Sequence, residues 1–440
     1  MRFLPTDEQR DFARSLDAML TAADTPTTIR AWAGGDHGPG RALWSRLAQA
    51  GVWALAVPEP YEGVGPLPIE LATVFVELGR HGVPGPAVET AAASALLSTL
   101  ARGGESAPAK RFLPSLARGE TLATLTIPTL DPHAGVGSRS AGSDPTLNPA
   151  ASTRPAGTDP TLDPHAGCGQ AFRRAMGVPP DGVWGRVGTT HDGAAPVGTA
   201  GTGSLGPAGA PSVVPTRSAP AEQLPTTGVG AVAAGRRATT EGLALDADAA
   251  DVVLVVRGDE LWLAPGHHDV HASTDPARRL ARPTPGGELL AAGPAVREAA
   301  AHAHDWAMLA TAAQALGVGL ALLDRTVAYA KQRRQFGTEI GSFQAVKHRL
   351  ADTLLALEFA RPLLFGAALT LDSADLAAAK VTAGEAAYAA ARTALQIHGA
   401  VGYTEELDLS LWLRKARPLR DAWGTPAWCR ARVIEAYGGS

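Results

Sequence analysis

The residues best suited to chemistry lie toward the C-terminus. They are Arg333, Arg334, Gln335, Phe336 and Gly337, then Phe343 and Gln344, then Gln396, Ile397, His398, Gly399, Ala400, Val401 and Gly402. By type they form a basic pair closing a helical segment, a glycine break, a new helix opening on Phe-Gln, and a glycine-rich turn between helices. That combination suits an anionic cofactor: a guanidinium fork donates to phosphate oxygens without losing its charge, and glycine lets backbone approach a bound group closely. Each part alone has a plainer explanation, since an Arg pair at a helix end compensates the dipole and a glycine-rich turn is most often only a turn.

The elements that must position these residues read as helices. Apolar stripes rich in Ala and Leu predict helices over 304–332, 343–371, 374–398 and from 407 onward, and four long helices suggest a bundle. Pro362 should bend the second, because it removes a backbone donor and clashes with the preceding turn. Asp372 and Ser373 offer an N-cap for the third.

The chain also opens on helices. Thr6 and Gln9 have the spacing of a capping box ahead of Phe12, Leu16, Met19 and Leu20. Leu43, Trp44, Leu47 and Ala48 mark a second helix stopping at Gly51, and Pro68 starts a third that Gly79 and Gly82 should end. A Pro- and Gly-containing loop over 57–65 lies between them, and helices over 88–100 and 107–117 follow. A β-prone run, Leu122 to Ile127, then begins a middle domain. Val252 to Val256 and Leu261-Trp262-Leu263, joined by a Gly-Asp turn, predict a hairpin in it. Residues 273–280 are expected to form its last strand, with Pro283, Pro285, Gly286 and Gly287 marking the exit. The expected organisation is α+β in several domains: a helical domain over 1–120, a small β-domain over 121–287 and a helical bundle over 288–440.

Within the middle domain, residues 129–234 are dominated by Pro, Gly, Ala, Thr and Ser, and Thr-Leu-Asp-Pro-His-Ala-Gly occurs twice. Too few large apolar side chains are present to offset an ordering entropy of about 1–2 kcal/mol per residue, so disorder is expected. His133 and His165, with Asp131, Asp163 and Cys168 nearby, resemble metal ligands by type. Duplicated low-complexity sequence explains the repetition without any site.

With 39 Lys plus Arg against 43 Asp plus Glu, a net charge of −4 gives no general attraction to nucleic acid, so any anion site must be local. The two cysteines, Cys168 and Cys429, have no metal or redox spacing. The N-terminus lacks the apolar core of a signal peptide and no unbroken apolar run reaches about 18 residues, so a cytoplasmic protein without a membrane span is expected.

Taken as an ordered set, these motifs resemble the acyl-CoA dehydrogenase family. Arg333-Arg334-Gln335-Phe336-Gly337, Phe343-Gln344, Lys347 and Ala351-Asp352 are similar to its R-x-Q-F-G, F-Q and A-D pattern, and Gln396 to Tyr403 to its Q-x-H-G-G-x-G turn. Leu43-Trp44 through Val57-Pro58-Glu59 adds a third part, and the resemblance covers roughly 1–127 and 242–435. It implies a helical domain, a small β-barrel-like domain and a four-helix bundle, with FAD lying between the barrel of one subunit and the bundles of two. Arg333 and Gln335 then match positions that contact the FAD pyrophosphate and adenosine of a neighbouring subunit, with Phe336 packed beside the cofactor. Gln396, Ile397, Gly399, Ala400 and Gly402 match the turn against the partner's dinucleotide, Ala400 replacing a second Gly, and Gln344 and Thr425 complete the implied FAD-binding set. An acyl-CoA substrate, a homologous subunit and an electron acceptor are the implied partners.

The catalytic expectation departs from the family. Its chemistry needs a carboxylate to take the α-proton of an acyl thioester while flavin takes the β-hydride. In most relatives this is the Glu of Tyr-Glu-Gly-Thr, where this chain has Ala422-Trp423-Gly424-Thr425. An indole N–H is a donor only, so Trp423 cannot accept a proton. The alternative position on the first bundle helix falls near Ala307; Asp305 lies close to it, but two residues along a helix rotate a side chain by about 200°. Glu405 and Glu406, just past the glycine turn, read as solvated acids. The family's Thr-Glu-Pro is reduced to Thr126-Ile127-Pro128, and Gly142-Ser143-Asp144 lacks the right surroundings. The expectation is an FAD-binding subunit without the usual Glu that works with a homologous partner; the alternative is a non-enzymatic oligomer scaffold.

Overall fold

A computed structural model of the chain describes residues 6–127 and 242–438. The repeated histidine motifs, the Gly142-Ser143-Asp144 triplet and the stretch expected to be disordered lie outside the described residues.

The N-terminal domain holds six helices: α1 (Asp7–Thr21), α2 (Thr25–Ala33), α3 (Gly38–Gln49), α4 (Pro68–Arg80), α5 (Ala87–Arg102) and α6 (Ser106–Ala117). The capping box is present: Gln9 N donates to Thr6 Oγ1 at 3.2 Å and Thr6 N donates to Gln9 Oε1 at 2.9 Å. Leu16 and Leu20 then turn one face of α1 into the core. Helix α2, unforeseen in the sequence, carries the buried Ile29 and Trp32.

The bundle follows as α7 (Pro294–Gln332), α8 (Gln344–Thr370), α9 (Ser373–His398), α10 (Leu409–Asp421) and α11 (Pro426–Tyr437). Helix α7 starts ten residues before the expected 304, because Pro294 sits in its first turn after Gly293, where φ is 110°. Val296, Ala299, Ala300 and Ala303 bury that added length. Helix α8 runs on continuously through Pro362. Asp372 caps α9 through Oδ1, which accepts from Ala374 N at 2.9 Å and Asp375 N at 3.2 Å. The expected fourth helix is two shorter ones separated by residues 422–425.

Helix α4 ends as expected between Gly79 and Gly82, at Arg80, with Gly82 (φ 64°) turning the chain away; Gly79, in its last turn, also makes a helix crossing. A Cβ on Gly79 would stand 2.1 Å from Gln314 O, and one on Gly317 would stand 2.0 Å from Val76 O. Backbone touches backbone where α4 meets α7, which locks the N-terminal domain to the bundle.

The middle domain is two open sheets rather than a closed barrel among the described residues. Strands β1 (Ala123–Thr126), β3 (Val252–Arg257), β4 (Glu260–Leu263) and β7 (Glu288–Ala292) form one, in the order β1-β3-β4-β7. Strands β2 (Ala244–Leu245), β6 (Arg279–Pro283) and β5 (His267–Ala272) form the other. The expected hairpin is present, with Leu254 opposite Leu263 and Gly258 turning at φ 65°. Strand β1 pairs parallel to β3, Ala123 with Val252. Residues 283–287 are not an exit: Gly286 (φ 87°) and Gly287 (φ 105°) turn the chain into β7, whose Glu-Leu-Leu-Ala-Ala composition reads as helix. The chain re-enters beside its point of departure, since a Cβ on Gly242 would lie 2.6 Å from Thr126 Cγ2.

By length and apolar content α7 and α8 both match a membrane span, although no unbroken apolar run announces it. The apolar stretch of α7 is wholly packed inside the protein, whereas that of α8 is 39% buried and leaves Phe359 and Leu363 exposed.

Candidate functional site

Helix α7 ends at Gln332, and Arg333 turns extended (φ −73°, ψ 121°) to enter a small hairpin of β8 (Arg334–Gln335) and β9 (Thr338–Glu339). Phe336 (φ 54°) and Gly337 (φ 80°) make its two-residue turn, the left-handed pair a tight hairpin requires. Phe336 is 93% exposed at the tip, touching Phe343 edge-on at 6.2 Å. Arg333 and Gln335 are exposed. Gln335 bonds only to its neighbour's carbonyl, and the Arg333 guanidinium has no hydrogen-bond partner among the described residues. Beyond that edge-on contact, an apolar ring held in a left-handed conformation in solvent has little to stabilise it within the described residues.

The glycine turn closes the same end of the bundle. Tyr329, one turn before Arg333, stacks on His398 at the end of α9, ring centroids 4.1 Å apart and planes at 24°. His398 is buried and its Nδ1 donates to Ala394 O at 2.8 Å; burial lowers its pKa, so the neutral ring is favoured. Gly399 is favoured by its φ of 62°, and Gly402 is closely packed, a Cβ there standing 3.2 Å from His398 and Leu395. Gln396 and Ala400 face outward, as does Gln344 at the first position of α8; Ile397 is half-buried. The structure thus brings the Arg333 hairpin and the glycine turn to one end of α7 and α9.

A buried polar cluster surrounds the turn at Trp423. Trp423 (φ 53°) and Gly424 (φ 129°) take left-handed conformations between α10 and α11. The Trp423 indole donates through Nε1 to Glu89 Oε1 at 3.0 Å, and its ring meets His304 edge-on at 5.9 Å. Lys380, fully buried on α9, holds the turn by donating from Nζ to Arg420 O at 2.9 Å and Gly424 O at 3.2 Å. Burial lowers the Lys380 pKa to about 8 and, with Arg432 and Lys380 nearby, that of His304 to about 4. Glu89, on the first turn of α5, is 3% exposed. Burial raises its pKa, opposed by the charge of Arg278 and the Trp423 bond, and Glu89 Oε2 has no partner. Arg278 itself makes no side-chain hydrogen bond or close ion pair among the described residues. It lies on the β5–β6 connection, which is pinned to α10 by a buried ion pair, Lys415 Nζ to Asp275 Oδ2 at 2.7 Å.

Thr425, expected at the cofactor, caps α11 through Oγ1, which accepts from Trp428 N at 3.3 Å. Asp305 is raised to about 6 by burial, with Arg432 and Asp372 as its charged neighbours, and makes no hydrogen bond to the Trp423 turn. Glu405 pairs with Arg414 at the surface, and Glu406 is exposed. Glu89, Lys380 and the Asp275–Lys415 pair escaped the sequence reading. For Lys380 the one signal is a lone charge inside an Ala-rich helical stripe, between Ala379 and Ala383.

Three long-range features define the class: a helical domain, two small sheets and a bundle carrying the hairpin and the glycine turn. The descriptions "Acyl-CoA dehydrogenase, N-terminal domain" and "Acyl-CoA dehydrogenase, C-terminal domain" match residues 6–120 and 282–438. The chain belongs to the acyl-CoA dehydrogenase family, a family of flavoprotein oxidoreductases. Among curated relatives, acyl-CoA dehydrogenase IpdE2 of Mycobacterium tuberculosis is 35% identical over 175 residues, 39% of this chain and 52% of the relative. The chain thus spans about half the length of that relative. The fold is similar to the ChsE4-ChsE5 complex of Mycobacterium tuberculosis (TM-score 0.65, 20% identity, all of both chains). It is also similar to PigA with FAD and proline (TM-score 0.61, 18% identity, 100% of this chain and 99% of that one).

The residues present fit a dinucleotide in two respects. The Arg333 guanidinium is uncommitted, and the Thr126 hydroxyl, at the end of β1, is buried without a partner among the described residues.

Proposed function

We propose that the protein is an FAD-binding acyl-CoA dehydrogenase-type subunit that desaturates an acyl-CoA thioester between its α and β carbons, in assembly with a homologous subunit. The observation that carries this reading is the joining of the Arg333 hairpin and the Gly399–Gly402 turn at one bundle end through Tyr329 and His398. Arg333 and Gln335 would hold the pyrophosphate and adenosine of a dinucleotide seated on a neighbouring subunit. Gln396, Ile397, Gly399, Ala400 and Gly402 would lie along it. When bound, FAD supplies the hydride acceptor. It would also supply the route by which electrons leave for an external acceptor.

Trp423 offers no proton acceptor at the usual place, so oxidation is assigned to the assembly, to which the homologous subunit brings a Glu of the Tyr-Glu-Gly-Thr kind. The ChsE4-ChsE5 complex, by its name a pair of different subunits, supports a mixed assembly. Exposed Phe336, Phe359 and Leu363 offer apolar surface for it. A cytoplasmic location belongs to the same reading and is checked by cell fractionation.

Purification alone and with a co-encoded homologue carrying that Glu tests the reading. A flavin spectrum and acyl-CoA oxidation with an artificial electron acceptor are expected from the pair. Colourless protein in both preparations sinks the flavin assignment; oxidation by this chain alone sinks the need for a partner.

A further inference from the structure

We propose that Glu89 is the proton-accepting carboxylate of this chain's own acyl pocket, brought by α5 to the place where the Trp423 turn has none. The inference rests on the flavoprotein reading and extends it: the partner's Glu serves the partner's pocket, and Glu89 serves this one.

Three observations carry it. Trp423 stands at the usual carboxylate position, and among the described residues Glu89 is the carboxylate bonded to it, 3.0 Å from the indole nitrogen. Asp305, the other candidate, has Arg432 and Asp372 as its charged neighbours instead. Second, the Glu89 carboxylate is half satisfied. Oε1 is held by the indole while Oε2 is buried without a partner, an arrangement that is costly unless a ligand meets it. Third, Arg278 places a positive charge that opposes the effect of burial on the Glu89 carboxyl, and Lys380 holds the turn through two carbonyls, which positions the indole bonded to Glu89. His304, Asp246, Arg432, Arg420, Asp421 and Cys429 are further ionisable groups around this cluster.

The ligand class is an acyl thioester with an acidic α C–H. In the step, the α C–H bond breaks, its electron pair passes to the thioester as an enolate, and the proton forms an O–H bond at Glu89 Oε2. Reversal in heavy water returns deuterium to the α-carbon, so no oxidant is consumed.

The test is deuterium incorporation at the α-carbon, followed by mass spectrometry with short-, medium- and long-chain acyl-CoA thioesters. It uses the flavin-loaded protein, alone and assembled with a partner whose Glu is changed to Gln. Wild type is expected to exchange, and Glu89→Gln to lose at least about 100-fold, the usual contribution of a positioned base. Glu89→Asp should recover part of the rate, and Trp423→Phe, which keeps an aromatic ring and loses the N–H, should fall about 10-fold, within the range of a lost orienting contact. Unchanged melting temperature and flavin spectrum in Glu89→Gln separate this role from a structural one. Colourless protein removes the flavoprotein reading and this inference with it. Flavin-loaded wild type that does not exchange, or Glu89→Gln at the wild-type rate, overturns this inference alone.

Discussion

Lys415→Met tests how the sheets are held to the bundle. Lys415 and Asp275 are 3% and 2% exposed at their side chains, and the bond between them is 2.7 Å. Methionine keeps most of the apolar stem and removes the ammonium, leaving the Asp275 charge buried. Breaking such a pair from one side costs about 3–5 kcal/mol. The low end, about 3 kcal/mol, applies because Asp275 Oδ1 still accepts from Ala277 N at 3.0 Å. Arg111→Met is the control, since its pair with Glu288 is about half exposed on both sides and such pairs contribute about 0–1 kcal/mol. Guanidinium unfolding at matched flavin content reads both, with Asp275→Asn and the double variant closing a cycle. The single variants should sum to more than the double by about 2 kcal/mol, within the coupling range for contacting residues. Lys415→Met within about 1 kcal/mol of wild type, no worse than the surface control, would refute the claim that this pair ties the β5–β6 connection to α10.

Three further outcomes follow from other parts of the fold. Gly317→Ala should destabilise by about 1–3 kcal/mol or more as overpacking, because its methyl would press on Val76 O, and a melt indistinguishable from wild type would show that α4 and α7 can part freely. Arg333→Ala should lower flavin retention after gel filtration without changing the melt of the flavin-free protein; unchanged occupancy means the anion is held elsewhere. Glu77 is raised from 4.5 to about 7 by burial, so the folded state holds its proton more tightly than the unfolded state does. Its contribution is therefore full below pH 4.5 and is lost as pH rises to about 7, by up to about 3 kcal/mol. Glu77→Gln should accordingly stabilise more at pH 8 than at pH 5, and an equal effect at both pH values in paired denaturation curves would contradict it.

Local signals were legible wherever one element's chemistry sufficed. The Thr6–Gln9 capping box, the Asp372 cap and the Val252–Leu263 hairpin each depend on residues a few positions apart, and each formed as expected. The Arg333 and Gly399 motifs were also readable as motifs, but not their meeting at one bundle end, which depends on Tyr329 stacking against His398 across two helices. Gly79 and Gly82 were readable as marking the end of α4, but the close crossing of Gly79 with Gln314, far along the chain, has no local signature. The same limit hid β7, whose Leu and Ala belong to a strand only because β4 lies beside them. Glu89 shows it most sharply: nothing between Val88 and Thr90 announces that an indole 334 positions away donates to it.

The closeness of Gly242 to Thr126 has a genetic consequence. Where the two ends of an intervening stretch adjoin, a deletion of that stretch leaves no gap for the remaining chain to span, and a few residues suffice to rejoin β1 to β2. Loop-closure cost grows only with the logarithm of length, about 0.6 kcal/mol for each doubling.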